Sequence, residues 1–282
     1  MDKEAFDLSL LKQWVGKTET LADTVDAVRI AALAATLDRA APADSSLPPL
    51  WHWTHFWPLA PASQIGEDGH PRRGGFLPPV PLPRRMWAGG RLSFDAPLKA
   101  GDAMQRKSTI LDVNAKSGGS GLLAFVTVRH DISSGGHLAL SEEHDIVYRD
   151  LPPPDAKPAP GKPAPTDEAF SREIHPDPVL LFRYSALTFN GHRIHYDRSY
   201  VTGVEGYPGL IVHGPLIATL LMDLLHRNLP QAQVRKFSFR AVGPLFDIEP
   251  FTVCGKQEGK TVRLWAKNQR GELAMQAEAE IA

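Results

Sequence analysis

The 282-residue chain has a single cysteine, Cys254, so no intrachain disulfide can form and no cysteine-based metal site is available. That fits a reducing compartment. An excess of charge is also missing, because 31 Lys and Arg against 32 Asp and Glu leave a formal net charge of -1. Such a balance gives no electrostatic footprint for nucleic acid or an anionic membrane surface, and neither partner is expected. No uncharged apolar run reaches the roughly 18 residues of a membrane span. Met1 to Phe6 lack both the basic-then-apolar order of a secretory signal and the Arg-rich character of a transit peptide. A cytoplasmic protein is the expectation. Phosphate-cradling glycine loops and nucleophile elbows are absent too.

What is abundant is proline, and it is concentrated. Residues 151–166 hold seven prolines without apolar periodicity, which predicts an extended linker between residues 1–150 and 167–282. The chain is long enough for two units of roughly 140 residues. The two parts match internally. Arg91 to Ala96, with Asp102 eight residues past Phe94, lies over Lys236 to Ala241, with Asp247 eight residues past Phe239. Leu138 to Ile146 lies over Leu273 to Ile281, and Val25, Arg29, Ala32 and Leu33 lie over Val179, Arg183, Ala186 and Leu187. Three matches in one order point to a duplication.

Each part reads as a helix followed by antiparallel strands. Alternating or β-branched runs predict strands over 234–239, 251–256, 261–267 and 273–281, with counterparts at 91–94, 107–113, 122–130 and 138–148, the middle pair joined by a hairpin through Ser117 to Gly121. A helix is expected near 178–189. A second one, over 215–228, carries Leu216, Ile217, Leu220, Leu221, Leu224 and Leu225 and is apolar nearly all round, so it must be buried. One antiparallel sheet wrapped on one buried helix is the hot-dog arrangement. Two copies predict an α+β double hot dog; two unrelated α+β domains are the alternative. Residues 48–88 have no apolar run comparable to 215–228, so the central helix of the first unit is expected to be reduced or lost. Trp51, Trp53, Phe56, Trp57 and Trp87 then either line a substrate pocket or patch the core.

The chemistry-bearing residues gather in one window. Asn190 and His195 would lie about 140° apart on a continuous helix, but Gly191 is a natural point for the helix to end and the chain to turn. With an unperturbed pKa of about 6.5, His195 can exchange a proton near neutrality. His213, Gly214 and Pro215 open the buried helix, and proline there leaves the Gly214 N–H at the positive end of the helix dipole. A carbonyl oxygen gaining negative charge is stabilised by such a donor, typically by about 2.7–4 kcal/mol in a transition state. His52 and His55, like His192 and His195, have His-x-x-His spacing, but zinc usually requires a third protein ligand and none stands out; no metal or other cofactor is expected. Asp223, in mid-helix, reads as structural.

Leu187 to Asp197, together with Tyr207 to Pro215, resembles the signature of MaoC-like, R-specific enoyl-thioester hydratases. The branch it resembles contains the type 2 hydroxyacyl-thioester dehydratases and the mesaconyl- and itaconyl-CoA hydratases. Pro83 to Gly90 resembles the motif which that branch carries in its first half, so the similarity covers nearly the whole chain. The resemblance implies a double hot dog and reversible hydration of a 2-enoyl-CoA to a 3-hydroxyacyl-CoA, with itaconyl- or mesaconyl-CoA as the expected substrate. It implies Asn190, His195 and Gly214 as catalytic residues. The substrate-binding residues it implies are Arg84, Arg85, Trp87, His192, Arg193, Tyr207 and His213. The general family pattern has an aspartate where Asn190 stands; the branch resembles this chain in having asparagine. An amide takes no proton, so His195 is expected to be the acid or base and Asn190 to hold the water. Arg84 and Arg85 suit a substrate carboxylate or a CoA phosphate. A dehydratase acting on carrier-bound chains and a non-catalytic acyl-CoA-binding module are the competing readings, and a homodimer is possible.

Overall fold

The computed structural model describes residues 7–118, 121–150 and 160–282. Gly119 and Ser120 of the expected hairpin, and the linker residues 151–159, lie outside the described residues. In chain order the elements are α1 (Leu8–Lys12), β1 (Thr18–Thr24), α2 (Ala27–Thr36), β2 (Arg84–Phe94), β3 (Ala103–Gly118), β4 (Gly121–Ser134), β5 (His137–Arg149), β6 (Phe170–Ile174), α3 (Pro178–Thr188), α4 (Arg198–Gly203), α5 (Gly214–Asn228), β7 (Val234–Ala241), β8 (Phe251–Glu258), β9 (Thr261–Asn268) and β10 (Leu273–Ile281). All ten strands form one antiparallel sheet in the order β1-β3-β4-β5-β2-β7-β10-β9-β8-β6.

That order is palindromic. Read from the centre outwards, β2 answers β7, β5 answers β10, β4 answers β9, β3 answers β8 and β1 answers β6; the first two of these pairs are the strands matched in the sequence. The equivalent strands β2 and β7 pair with each other, Gly89 opposite Arg240 and Leu92 opposite Phe237. Two glycines permit the join: a Cβ on Gly89 would lie 2.6 Å from the Phe239 carbonyl oxygen, and one on Gly90 would lie 2.9 Å from the Phe239 ring. The edge strands β1 and β6 were not expected from the sequence, being short and polar on alternate positions.

Ten consecutive residues of α5, Leu216 to Leu225, are buried, and the helix packs on β6, β8, β9 and β10. Burying a leucine side chain of this kind stabilises the fold by about 1.5–3 kcal/mol, so the helix nucleates the second unit's core. Before β2 the first unit has only the 3₁₀ turns Trp51–Thr54 and Ala62–Gln64 in the corresponding place, so its central helix is indeed lost. The molecule is an α+β double hot dog. The helices α2 and α3 pack on each other across the pseudo-twofold. The described end of the linker is not simply an extended spacer, because Pro163 bridges to Glu272 and Leu273 N–H donates to Lys162 O at 2.7 Å.

Candidate active site

The catalytic-looking loop begins where α3 stops. The helix is capped by Phe189 in the left-handed region (φ 50°, ψ 36°), and Asn190 N–H then donates back to Ser185 O at 2.8 Å. The turn expected at Gly191 is thus taken two residues earlier, by the non-glycine Phe189. Gly191 serves a close approach instead: a Cβ there would lie 2.7 Å from the Gly69 carbonyl oxygen.

Past the turn, Arg193–His195 forms a 3₁₀ turn that points His195 inward. Its ring is 6% exposed, and its Nδ1 lies 2.7 Å from Ile211 O, so Nδ1–H donates and Nε2 keeps its lone pair. Burial pushes the His195 pKa down to about 4, against the opposing effect of the Ile211 hydrogen bond. The imidazole is therefore neutral at pH 7, the state in which it accepts a proton. His213 stacks on it with centroids 3.6 Å apart, and is itself tied to Ser185 Oγ through Nε2 at 2.8 Å.

Gly214 is the first residue of α5, so its N–H has no carbonyl one turn back inside the helix. Asn190, His195 and Gly214 all line one large cleft. Asn190 Oδ1 accepts from His192 N–H at 3.0 Å, which leaves the amide NH2 as the group available to a ligand.

The expected substrate-binding residues divide. Trp87, His192, Tyr207 and Arg85 line the cleft. His213 is fully buried, stacks beneath His195 and is not among the residues lining the cleft, so the structure places it behind the His195 ring. Arg193 is likewise structural: its guanidinium binds Asp197 at 2.7 Å and covers the Tyr200 ring at 4.2 Å. Arg84 is held by Glu205 at 2.8 Å and lies over Tyr207 at 4.7 Å, so it braces the loop before His213 rather than waiting for an anion. Arg85 is the contrast. No ion pair of Arg85 occurs among the described residues; it sits against the Tyr148 hydroxyl, and its positive charge acts on both His70 and His192.

The aromatic cluster divides as well. Trp51 is core, 2% exposed, whereas Trp53, Phe56, Trp57 and Trp87 reach the cleft. Trp53 meets Trp87 edge-on at 4.9 Å, and Trp57 stacks on Phe189 at 5.1 Å.

Two polar groupings escaped the sequence reading. Asp68 and His70, from the helix-less segment, meet His192, with ring centroids of His70 and His192 4.1 Å apart. Glu142 is buried against His52 at 3.2 Å, His144 at 3.1 Å and the Trp53 indole N–H at 2.9 Å. Burial pushes its pKa up, but the imidazoles of His144 and His52 outweigh that and hold the carboxyl well below its ordinary range. Asp68, His70 and His192, and separately His130, Glu142 and His144, lie close enough to share a cation, although no spacing in the chain announces either set.

A double hot dog with a neutral buried histidine facing a helix N-terminus across an aromatic-lined cleft is the frame of a thioester hydro-lyase. Comparison with known proteins makes this specific. The sequence profile described as hydroxyacyl-thioester dehydratase type 2 matches residues 50–247, and the chain belongs to that family. It is 49% identical over 271 residues to the mesaconyl-C(4)-CoA hydratase of Chloroflexus aurantiacus, covering 95% of this chain and 96% of the relative. The mitochondrial hydroxyacyl-thioester dehydratase type 2 of Schizosaccharomyces pombe is 28% identical over 249 residues, 78% of this chain and 80% of that one. Among solved structures, a MaoC-like dehydratase from Phytophthora capsici superposes with a TM-score of 0.70 at 15% identity, over 98% and 99% of the two chains. A double-hot-dog protein of Mycobacterium tuberculosis gives 0.55 at 14% identity, over 95% and 96%. The chain is an enzyme of the hydratase and dehydratase class.

Proposed function

We propose that the protein hydrates a short, branched dicarboxylyl enoyl-CoA of the mesaconyl or itaconyl kind, in either direction. The observation that carries this reading is Arg85, a cleft-lining arginine for which no salt bridge occurs among the described residues, in a chain half identical to a mesaconyl-C(4)-CoA hydratase. A free substrate carboxylate is what such a guanidinium recognises.

In this reading the thioester oxygen accepts a hydrogen bond from Gly214 N–H, which makes C3 electrophilic. His195 Nε2 takes one proton from a water held by the Asn190 amide, and the water oxygen bonds to C3. The C2=C3 electron pair moves towards the thioester, and the same proton then passes from His195 to C2, returning the imidazole to neutral. Trp87, His192 and Tyr207 bound the acyl group. The unit of residues 167–282 supplies the catalytic loop, and that of residues 1–150 supplies most of the binding surface. Dehydration of carrier-bound 3-hydroxyacyl chains is the second reading, favoured by the family description and the yeast relative. A cytoplasmic setting accords with the lone, buried Cys254, and among the described residues no helix is long and apolar enough to cross a membrane. A homodimer is the assembly to test by sedimentation, given the exposed Val179 and Phe182 on α3.

Loss of conjugated-thioester absorbance is followed with mesaconyl-, itaconyl- and crotonyl-CoA. The dicarboxylyl substrates are expected to be preferred, and Arg85→Ala to raise KM for them about 10- to 100-fold with little effect on crotonyl-CoA. His195→Ala abolishes turnover of all three. Wild-type turnover of crotonyl-CoA at rates matching mesaconyl-CoA, or an unchanged KM for mesaconyl-CoA in Arg85→Ala, would overturn the dicarboxylyl assignment.

A further inference from the structure

Asn190 leaves the site without the carboxylate that the general family places there, and the loop that meets the catalytic loop brings one from the other unit. Gly69 sits with φ +87°, and a Cβ there would lie 1.8 Å from the Gly191 carbonyl oxygen. Asp68 O accepts Arg193 N–H at 2.9 Å, and Glu67 O accepts the Arg193 guanidinium at 3.1 Å. The backbone of residues 67–69 is thus interlocked with residues 191–193, and the side chains on either side of Gly69 are fixed relative to His192 and His195.

Those side chains form a pair. Asp68 Oδ1 accepts His70 N–H at 3.0 Å, and Asp68 Oδ2 lies 3.0 Å from His70 Nδ1. A carboxylate there fixes the tautomer: Nδ1–H donates to Asp68, and Nε2 carries the lone pair. The His70 side chain is 18% exposed, lines the cleft, and its Nε2 has no hydrogen-bond partner among the described residues. His192 contacts both rings, with centroids 4.1 Å from His70 and 5.5 Å from His195, and a charge on His70 also acts on His195 directly. The cleft therefore presents two neutral imidazoles, each with Nδ1–H anchored and Nε2 open, one backed by a carbonyl and one by a carboxylate.

We propose that His70, backed by Asp68, is a second catalytic residue that accepts a hydrogen bond from the reacting water and takes the place of the missing aspartate. This rests on the hydratase reading given above. The water offers two O–H bonds. One proton goes to His195 and on to C2; the other stays on oxygen and becomes the product hydroxyl, and it is this O–H that His70 Nε2 receives. No proton is left on His70 at the end of the cycle. The carboxylate makes the imidazole a stronger acceptor, which raises electron density on the attacking oxygen and, in the dehydration direction, holds the leaving hydroxyl. The neutral form is the required one, and burial, together with the positive charges of Arg85 and Arg73, holds the His70 pKa below its ordinary value against the raising effect of Asp68.

The test uses the full-length enzyme with mesaconyl-CoA, comparing wild type, His195→Ala, His70→Ala, His70→Gln and Asp68→Asn, with circular dichroism to check folding. His70→Ala is expected to lower kcat about 100-fold or more with KM nearly unchanged. Added imidazole restores part of the loss, and His70→Gln, whose amide oxygen can accept the same hydrogen bond, falls between the two. Asp68→Asn lowers kcat about tenfold, which keeps the proposal exposed if the His70 variants fold poorly. A folded His70→Ala enzyme within about threefold of wild-type kcat overturns the assignment, as does a loss confined to KM that neither glutamine nor imidazole relieves. If wild type hydrates mesaconyl-CoA and only His195→Ala is dead, this inference alone falls; if wild type hydrates no enoyl-CoA, the hydratase reading falls with it.

Discussion

The behaviour of His195 is set by where its two nitrogens are. Nδ1 is spent on a carbonyl, burial lowers its pKa to about 4, and a stacked neighbour without charge lies beneath it. The neutral form is active, so protonation removes activity as pH falls through the folded pKa. The kcat/KM profile should be flat above the ordinary imidazole range and fall only below it, as His70, held under its ordinary value, and His195, near about 4, take up protons. An acid limb near about 6.5, the value of a free imidazole, would mean that a different and more exposed group does the work. The sequence singled out His195 and Gly214, both of which line the cleft, because their local chemistry is unusual: a polar loop directly before an apolar helix. It did not identify His70 or Asp68, since nothing within a few residues of them signals which distant loop they will meet. Arg84 and Arg85 show the same limit. They are adjacent and both line the cleft, yet Arg84 is paired with Glu205 across 121 residues of chain and no ion pair of Arg85 occurs among the described residues.

At the scale of elements, α5 and the eight long strands were legible because burial imposes a period on them, of two or of continuous apolarity. The edge strands β1 and β6 were not, because each has one neighbour only and is half exposed. The 66–70 loop is the element on which the site depends most and which periodicity describes least. Gly69→Ala should separate it from the 190–193 loop, because the methyl group would fall on the Gly191 carbonyl and φ +87° disfavours any side chain. The expected outcome is a fall in kcat of at least about tenfold with a small loss of stability, measured as turnover beside a urea unfolding curve. Retained kcat in Gly69→Ala would show that the interlock does not hold the reacting groups.

Across the molecule, the two units are joined at more than the β2–β7 seam. Asp223, whose side chain is fully shielded in the middle of α5, is bound by Arg39 at 2.9 Å, Arg172 at 2.9 Å and Arg227 at 2.7 Å. Arg39 follows α2 in the first unit, Arg172 is on β6 and Arg227 on α5. Arg227 also donates to the carbonyls of Leu37 and Asp38, so this network clamps the end of α2 to the central helix. Removing one partner from a buried ionic network costs on the order of 3 kcal/mol. Asp223→Ala should therefore lower the urea midpoint clearly while leaving kcat of the folded enzyme close to wild type. A selective loss of kcat at unchanged stability would instead place Asp223 in the chemistry.

The missing helix of the first unit can be viewed as broken symmetry. Two identical hot dogs related by a twofold axis would present the same loop at both ends of the sheet, and no segment of either could be released from covering its own sheet without the other losing cover as well. Once both copies are encoded in one chain, each can drift alone. Residues 51–83 still shield core through Trp51, Phe56, Val80 and Leu82, while residues 67–70 reach across the axis to the 191–193 loop, so a single reactive centre draws its walls from both units.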